Sequence, residues 1–248
     1  QLNRLLNDKK KYLAGVRFAI DPISIVIFKK LINKSKIKNL DLNLNLMYLS
    51  EWYNNENVIK KIFTNLPKKI KTLSFVDSYG AIDPIQIKLF FEKIKKNYPQ
   101  NFKYGCHFHN NCGLALANSI AAMNINCSLV DTTFTGMGRG AGNAETELLL
   151  AFDKSKRNLI KGFSLNNFIE TMKNLKIKYG WGSSFAYSLA AKNGYSQGEM
   201  MNLLQKRRLD PATALEVLST KKNSKVVFKN YHNLIKKITK KNPPILIG

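Results

Sequence analysis

The chain has 248 residues, with 40 Lys and Arg against 16 Asp and Glu and a formal net charge of +24. Its 44% hydrophobic content suits a globular protein with a core, and no apolar run approaches the ~18 residues of a membrane span. Lysine supplies nearly all the positive charge; specific nucleic-acid readers lean on arginine forks, so the charge predicts salt-sensitive adsorption to polyanions and no specific nucleic-acid partner.

Residues 1–12 read as the end of a basic helix. LAGVRFAI, Leu13 to Ile20, predicts a buried strand, and Asp21-Pro22 opens a helix to about Lys34. LDLNLNLM, Leu40 to Met47, alternates strictly. It predicts a strand with leucines on one face and Asp41, Asn43, Asn45 and Met47 on the other, which is either an inward face near a barrel mouth or the wet face of an edge strand. A helix over Asn55–Asn65 follows, then a strand over Lys71–Val76 ending in Asp77-Ser78-Tyr79-Gly80, and a helix from Asp83-Pro84 to about Asn97. The strand Lys103–His109 leads into a helix over Gly113–Met123. The strand Cys127–Phe134 leads into a glycine loop, Gly136 to Asn143, and a helix from Ala144. Beyond Lys154 the spacing is helical over Ser164–Lys178, Ser183–Lys192, Gln197–Lys206 and Pro211–Leu218, followed by a basic tail from Lys221 that holds Pro243-Pro244.

Five strand–helix units by about Phe152 imply a parallel sheet with right-handed crossovers. The fold class is α/β, either a five-stranded open sheet or a (β/α)8 TIM barrel short of about three units at its front and followed by C-terminal helices. The chain begins with Gln1, which favours the N-terminally truncated barrel. Residues 1–155 then form the barrel portion, 156–218 a helical region and 219–248 the basic tail. Cys106, Cys112 and Cys127 are an odd count without CxxC spacing. They suggest neither a disulfide framework nor a zinc knuckle; with no visible signal peptide, they point to a cytoplasmic protein with free thiols.

The chemistry gathers at the C-terminal ends of the last two strands, where barrels place active sites. His107 and His109 are two apart on a strand and share a face, with Phe108 turned to the other layer. Two imidazoles on one face can hold a divalent metal whose remaining ligands are oxygens. They could equally be hydrogen-bonded polar residues at a strand end; the Asn110-Asn111 that follows and the glycine loop one unit later favour the metal. Gly136-x-Gly138-x-x-Ala141 satisfies a loose dinucleotide fingerprint, but Arg157–Phe163 offers no strand ending in an acid, as that fold requires. The loop reads better as backbone free to approach a ligand, closed by Asn143 and a helix N-terminus at Ala144 suited to an anion. Asn143 could also be no more than the cap of that helix.

FVDSYGAIDP, HFHNNCGLALANSIAA and VDTTFTGMGRGAGNAETE resemble, in order, the last three strands of the HMG-CoA lyase-like (pyruvate carboxyltransferase domain) metal-dependent barrels. That superfamily includes HMG-CoA lyase, isopropylmalate and homocitrate synthases and 4-hydroxy-2-oxovalerate aldolase. LAGVRFAI and NLNLM upstream, and KYGWGSSFAYSLAAKNGYSQGEMMNLL downstream, are similar to the aldolase-type branch, and the resemblance covers about Ala14 to Leu218.

The resemblance implies a barrel whose seventh strand carries the metal ligands His107 and His109, with Asn143 approaching the same metal. It places Asp77 on the turn after the sixth strand, Asn45 and Met47 at the mouth of the fifth, and Gly138, Arg139 and Gly140 in the loop that meets substrate. The activity it implies is carbon–carbon cleavage or formation beside a 2-oxo acid with Mn²⁺, Mg²⁺ or Co²⁺. The alternatives are an acyl-CoA-dependent condensing synthase and a non-catalytic interaction module. The family's first-strand Arg-Asp pair, Asp as a metal ligand and Arg to hold the developing enolate, is absent before Leu13, so no catalytic residue is assigned; Gly182 stands where the aldolases carry a tyrosine, which leaves the acid–base group open. The expected partners are a small 2-oxo acid or acyl substrate and either a second copy or a partner domain, with no membrane.

Overall fold

The structure, a computed structural model, describes residues 13–35, 40–99, 102–153, 165–223 and 240. The expected basic helix at residues 1–12, the segment Arg157–Phe163 and most of the basic tail lie outside the described residues. Five strands form one parallel sheet in sequence order: β1 (Gly15–Ile20), β2 (Asp41–Leu46), β3 (Ile70–Asp77), β4 (Lys103–Phe108) and β5 (Leu129–Asp131). Each strand pairs with the next in sequence, as in a (β/α) barrel. Between them run α1 (Ile25–Lys34), the short α2 (Leu49–Trp52), α3 (Glu56–Asn65), α4 (Pro84–Asn97) and α5 (Ala115–Asn124). After β5 come α6 (Thr146–Phe152), α7 (Leu165–Tyr179), α8 (Phe185–Lys192), α9 (Gln197–Met201, continued as a π-turn to Lys206) and α10 (Pro211–Asn223).

The Asp-Pro pairs start helices for the reason their sequence suggests. Asp21 accepts from Ile23 N at 2.9 Å. Asp83 and Gln86 form a reciprocal capping box, with Pro84 in the first turn, where its missing N–H costs nothing. The leucine alternation of β2 sends Leu42, Leu44 and Leu46 into the layer between sheet and helices. There Phe75 of β3 packs edge-on against Phe90 at 4.9 Å and Phe91 at 5.4 Å. The other face of the sheet is polar. Cross-strand registers align Arg17 with Asn43, Asn45 with Ser74, and Val76 with His107 and Asp131. Asn43 and Asn45 therefore line the inner face.

The last strand is shorter than its sequence suggests. Thr132, Thr133 and Phe134 have strand propensity, but the ladder ends at Asp131 and a 3₁₀ turn covers Phe134–Gly136, with Thr135 at φ 51°. The chain has to reverse there, because Asn143 and Ala144 return to the end of β4: Asn110 N donates to Gly142 O at 2.9 Å and Ala144 N to Phe108 O at 3.3 Å. A second apolar cluster joins Ala141 of that loop to Tyr187, Ala190, Met200, Leu203 and Val217 of the C-terminal helices.

Candidate metal and substrate site

His107 and His109 emerge at the end of β4 with ring centroids 5.1 Å apart, while Phe108 between them is fully buried in the helix layer. His109 forms an isolated antiparallel bridge with Asn143, so the loop after β5 delivers its amide to the second histidine by backbone pairing. Asn143 Nδ2 donates to Met137 O at 2.8 Å. Its Oδ1 and the Nδ1 of His109 are both buried and have no hydrogen-bond partner. Buried polar atoms are rarely left so, and an imidazole nitrogen and an amide oxygen are both fit metal donors. Burial pushes the His109 pKa down to about 4, with the charges of His107 and Arg139 adding to the effect. Burial also lowers that of His107; Arg17 adds to this and Asp131 opposes it. Both rings are thus neutral at physiological pH, the form that binds metal.

The glycine loop is built for close backbone packing. A Cβ on Gly142 would stand 2.2 Å from Gly136 O, and one on Gly138 2.6 Å from the Asn143 amide nitrogen. A side chain at position 138 would therefore dislodge Asn143. Gly140 lies under Tyr187 and Gln197. Arg139 is exposed on this loop and close enough to His109 to act on it electrostatically. Asn45 reaches the inner face with a buried, partnerless Oδ1.

One sequence expectation changes. α6 begins at Thr146, not Ala144; Glu145 stands at its N-cap and it runs for seven residues. Asn143 is therefore not a helix cap, and the loop ends in a carboxylate rather than an anion site. Asp77 ends β3 and opens the expected turn to Gly80, and its carbonyl accepts from His109 N at 3.4 Å. Its register partner is Phe108, which places it on the helix-facing side of the sheet, where it is fully buried and accepts from Ile82 N at 3.0 Å. Burial raises its pKa to about 6, opposed by the hydrogen bond from Ile82 N. Asp77 thus shapes the turn that follows β3.

Sequence reading missed two groups of residues. Arg17 of β1 donates to Asp131 of β5 at 2.7 Å, and Asp131 lies 3.8 Å from His107 Nδ1. The available signal was a single charged residue in each of two strands. The second group reaches the glycine loop and its surroundings from the C-terminal region. Trp181 Nε1 donates to Thr135 O, Gln197 Nε2 to Arg139 O, Gly182 N to Gly140 O, and Ser188 Oγ to Asn111 O, all at 2.7–2.9 Å. Among the described residues no three His, Cys, Asp or Glu side chains gather as a metal site.

Known proteins resemble this chain over part of its length. Over 75 residues the chain is 43% identical to 4-hydroxy-2-oxovalerate aldolase of Carboxydothermus hydrogenoformans, a stretch covering 30% of this chain and 22% of that protein. Over 88 residues it is 35% identical to 2-isopropylmalate synthase of Brevibacillus brevis, covering 34% and 17%. The alignments thus span about a fifth of the length of these curated relatives. The N-terminal domain of an aldolase candidate from Bacteroides vulgatus superposes with a TM-score of 0.68 at 33% identity, covering 82% of this chain and 67% of that one. The HMGL-like family model matches residues 32–174. That match takes in β2 to α6, the histidine pair and the whole glycine loop; the chain belongs to the HMGL-like family.

Proposed function

We propose that the protein cleaves or forms a carbon–carbon bond beside a 2-oxo acid, as a metal-assisted aldolase of the 4-hydroxy-2-oxovalerate type. The observation that carries the metal half is the pair of buried, partnerless atoms, His109 Nδ1 and Asn143 Oδ1, on residues joined backbone to backbone beside His107. These residues fit a divalent ion. Mn²⁺, Mg²⁺ or Co²⁺ accepts such a mixed nitrogen and oxygen set, with oxygens of water and substrate completing it. When bound, the ion supplies Lewis-acid stabilisation of negative charge growing on a carbonyl oxygen. The relatives named as aldolases support the substrate half.

The chain's own residues supply the setting. The neutral imidazoles offer lone pairs without first shedding protons. Arg139 presents a guanidinium fork suited to a carboxylate, and Gly138 and Gly140 beside it carry no side chains that would crowd a ligand. Asn45 gives the inner face an unused amide oxygen. The proposed location is the cytoplasm, in keeping with the free Cys106, Cys112 and Cys127, and the proposed partner is a second copy or a partner domain. Among the described residues no helix is long and apolar enough to cross a membrane.

Calorimetric titration with Mn²⁺ tests the site, alongside pyruvate release from a 4-hydroxy-2-oxo acid. In a full-length form, His107→Ala and His109→Ala are each expected to abolish both, and undiminished Mn²⁺ affinity in both variants would remove the metal assignment. The similarity to a 2-isopropylmalate synthase favours a second reading, an acyl-CoA-dependent condensation. Free thiol released from acetyl-CoA in the presence of a 2-oxo acid would select it.

A further inference from the structure

Arg17 and Asp131 sit on the two end strands of the sheet, 114 residues apart in sequence, yet their charged groups meet at 2.7 Å. The sheet is therefore curled enough for an inward side chain of β1 to reach one of β5. Asp131 is also the direct cross-strand partner of His107, so both side chains leave the same face of neighbouring strands. Its Oδ2 faces His107 Nδ1 at 3.8 Å, just beyond a hydrogen bond, and both side chains are 23% exposed. One carboxylate oxygen thus lies between a guanidinium and an imidazole.

We propose that Asp131, anchored by Arg17, is a positioning residue for His107: it keeps the ring proton on Nδ1 and leaves Nε2 as the lone-pair nitrogen. A carboxylate beside one ring nitrogen stabilises the proton there, and the second nitrogen becomes the stronger donor. The guanidinium fixes the carboxylate, which would otherwise be free to rotate away, and it makes the ion pair a link across the curled sheet. The proposal deepens the metal-site reading and rests on it only where metal affinity is concerned.

The test is a long-range ¹H–¹⁵N correlation of the histidine rings in the full ¹⁵N-labelled chain without metal, at about pH 8, above the ordinary histidine range. His107, assigned through His107→Gln, should show the Nδ1–H pattern. In Asp131→Ala it should cross to Nε2–H, the form a free imidazole side chain prefers in water. Asp131→Asn, which keeps the volume, guards against a variant that fails to fold, and should also lose the Nδ1–H preference. An Nε2–H ring in the unaltered protein, or an unchanged tautomer in both variants, would overturn the proposal. In a second arm, Asp131→Asn should weaken Mn²⁺ binding about tenfold or more, the usual effect of removing such a partner. Absence of Mn²⁺ binding in the unaltered chain would sink the metal reading and leave the tautomer result standing.

Discussion

Two ionisable residues, buried Asp77 and partly buried His109, give the stability opposite dependences on pH. Asp77 has a folded pKa of about 6 against an ordinary 3.8, so the folded state holds its proton more tightly than the unfolded chain. Its contribution is most favourable below about pH 4 and is lost as pH rises through 6; the shift corresponds to about 3 kcal/mol. Asp77→Asn keeps an oxygen for Ile82 N–H and should remove this slope, raising the urea midpoint measured at about pH 8 relative to the parent. His109 acts the other way. Its pKa falls from 6.5 to about 4, so its contribution is complete above 6.5 and disappears as pH falls toward 4. His109→Gln should be less sensitive to acid over that window, in urea titrations at a series of pH values. Asn143 allows a different separation. It caps no helix, so Asn143→Ala should cost only the bond to Met137 O, about 1 kcal/mol. Mn²⁺ affinity should fall much more than that; an unchanged affinity would reduce Asn143 to a loop brace.

At the scale of elements, the glycine loop depends on helices far along the chain. Trp181 lies 46 residues beyond Thr135, whose carbonyl it satisfies in a buried setting. Trp181→Phe would strand that carbonyl at a local cost of about 1–3 kcal/mol. Hydrogen exchange should show lost protection at Gly142 and Asn143, whose amides bond within the loop, while β2 to β4 stay protected. Much of the architecture was legible: the Leu-Asn alternation gave β2 and its faces, and the Asp-Pro pairs gave two helix starts. The end of β5 was not, because Thr132 to Phe134 favour a strand locally. Contacts from later residues bend the chain there, among them the Glu147 carboxylate on Thr135 N at 2.9 Å. The side of the sheet that Asp77 takes was hidden for a related reason: only the register with Phe108 shows it. The Arg17–Asp131 pair was hidden because it depends on the curl of the sheet, which no local pattern encodes.

Seen whole, the described residues leave apolar surface beside both ends of the sheet. Ile23, Ile27 and Leu31 follow a four-residue step into and along α1, and Ile23 and Ile27 are 74% and 71% exposed. At the far end Leu148 and Phe152 of α6 are exposed as well. β1 and β5 each pair on one side only among the described residues, and an unpaired edge beside apolar residues is an association hazard. The 248-residue chain by itself should therefore associate with rising concentration despite its charge of +24. Ile27→Glu should reduce that association in sedimentation velocity without lowering Tm, since Ile27 contributes little to the core. A monodisperse monomer at every concentration would show that these surfaces are harmless.

The grip of the C-terminal helices on the glycine loop also bears on how the protein is made. Strand pairing through β4 needs nothing beyond Phe108, so four of the five strands can pair while the ribosome is still translating the later helices. Gln197, which holds Arg139 in place, is added nearly 90 residues after that strand. At about 5–20 residues per second, several seconds separate the two events. A nascent chain in that interval would have its scaffold but no fixed loop, so the site is completed late in synthesis and a truncated product would not have a finished one.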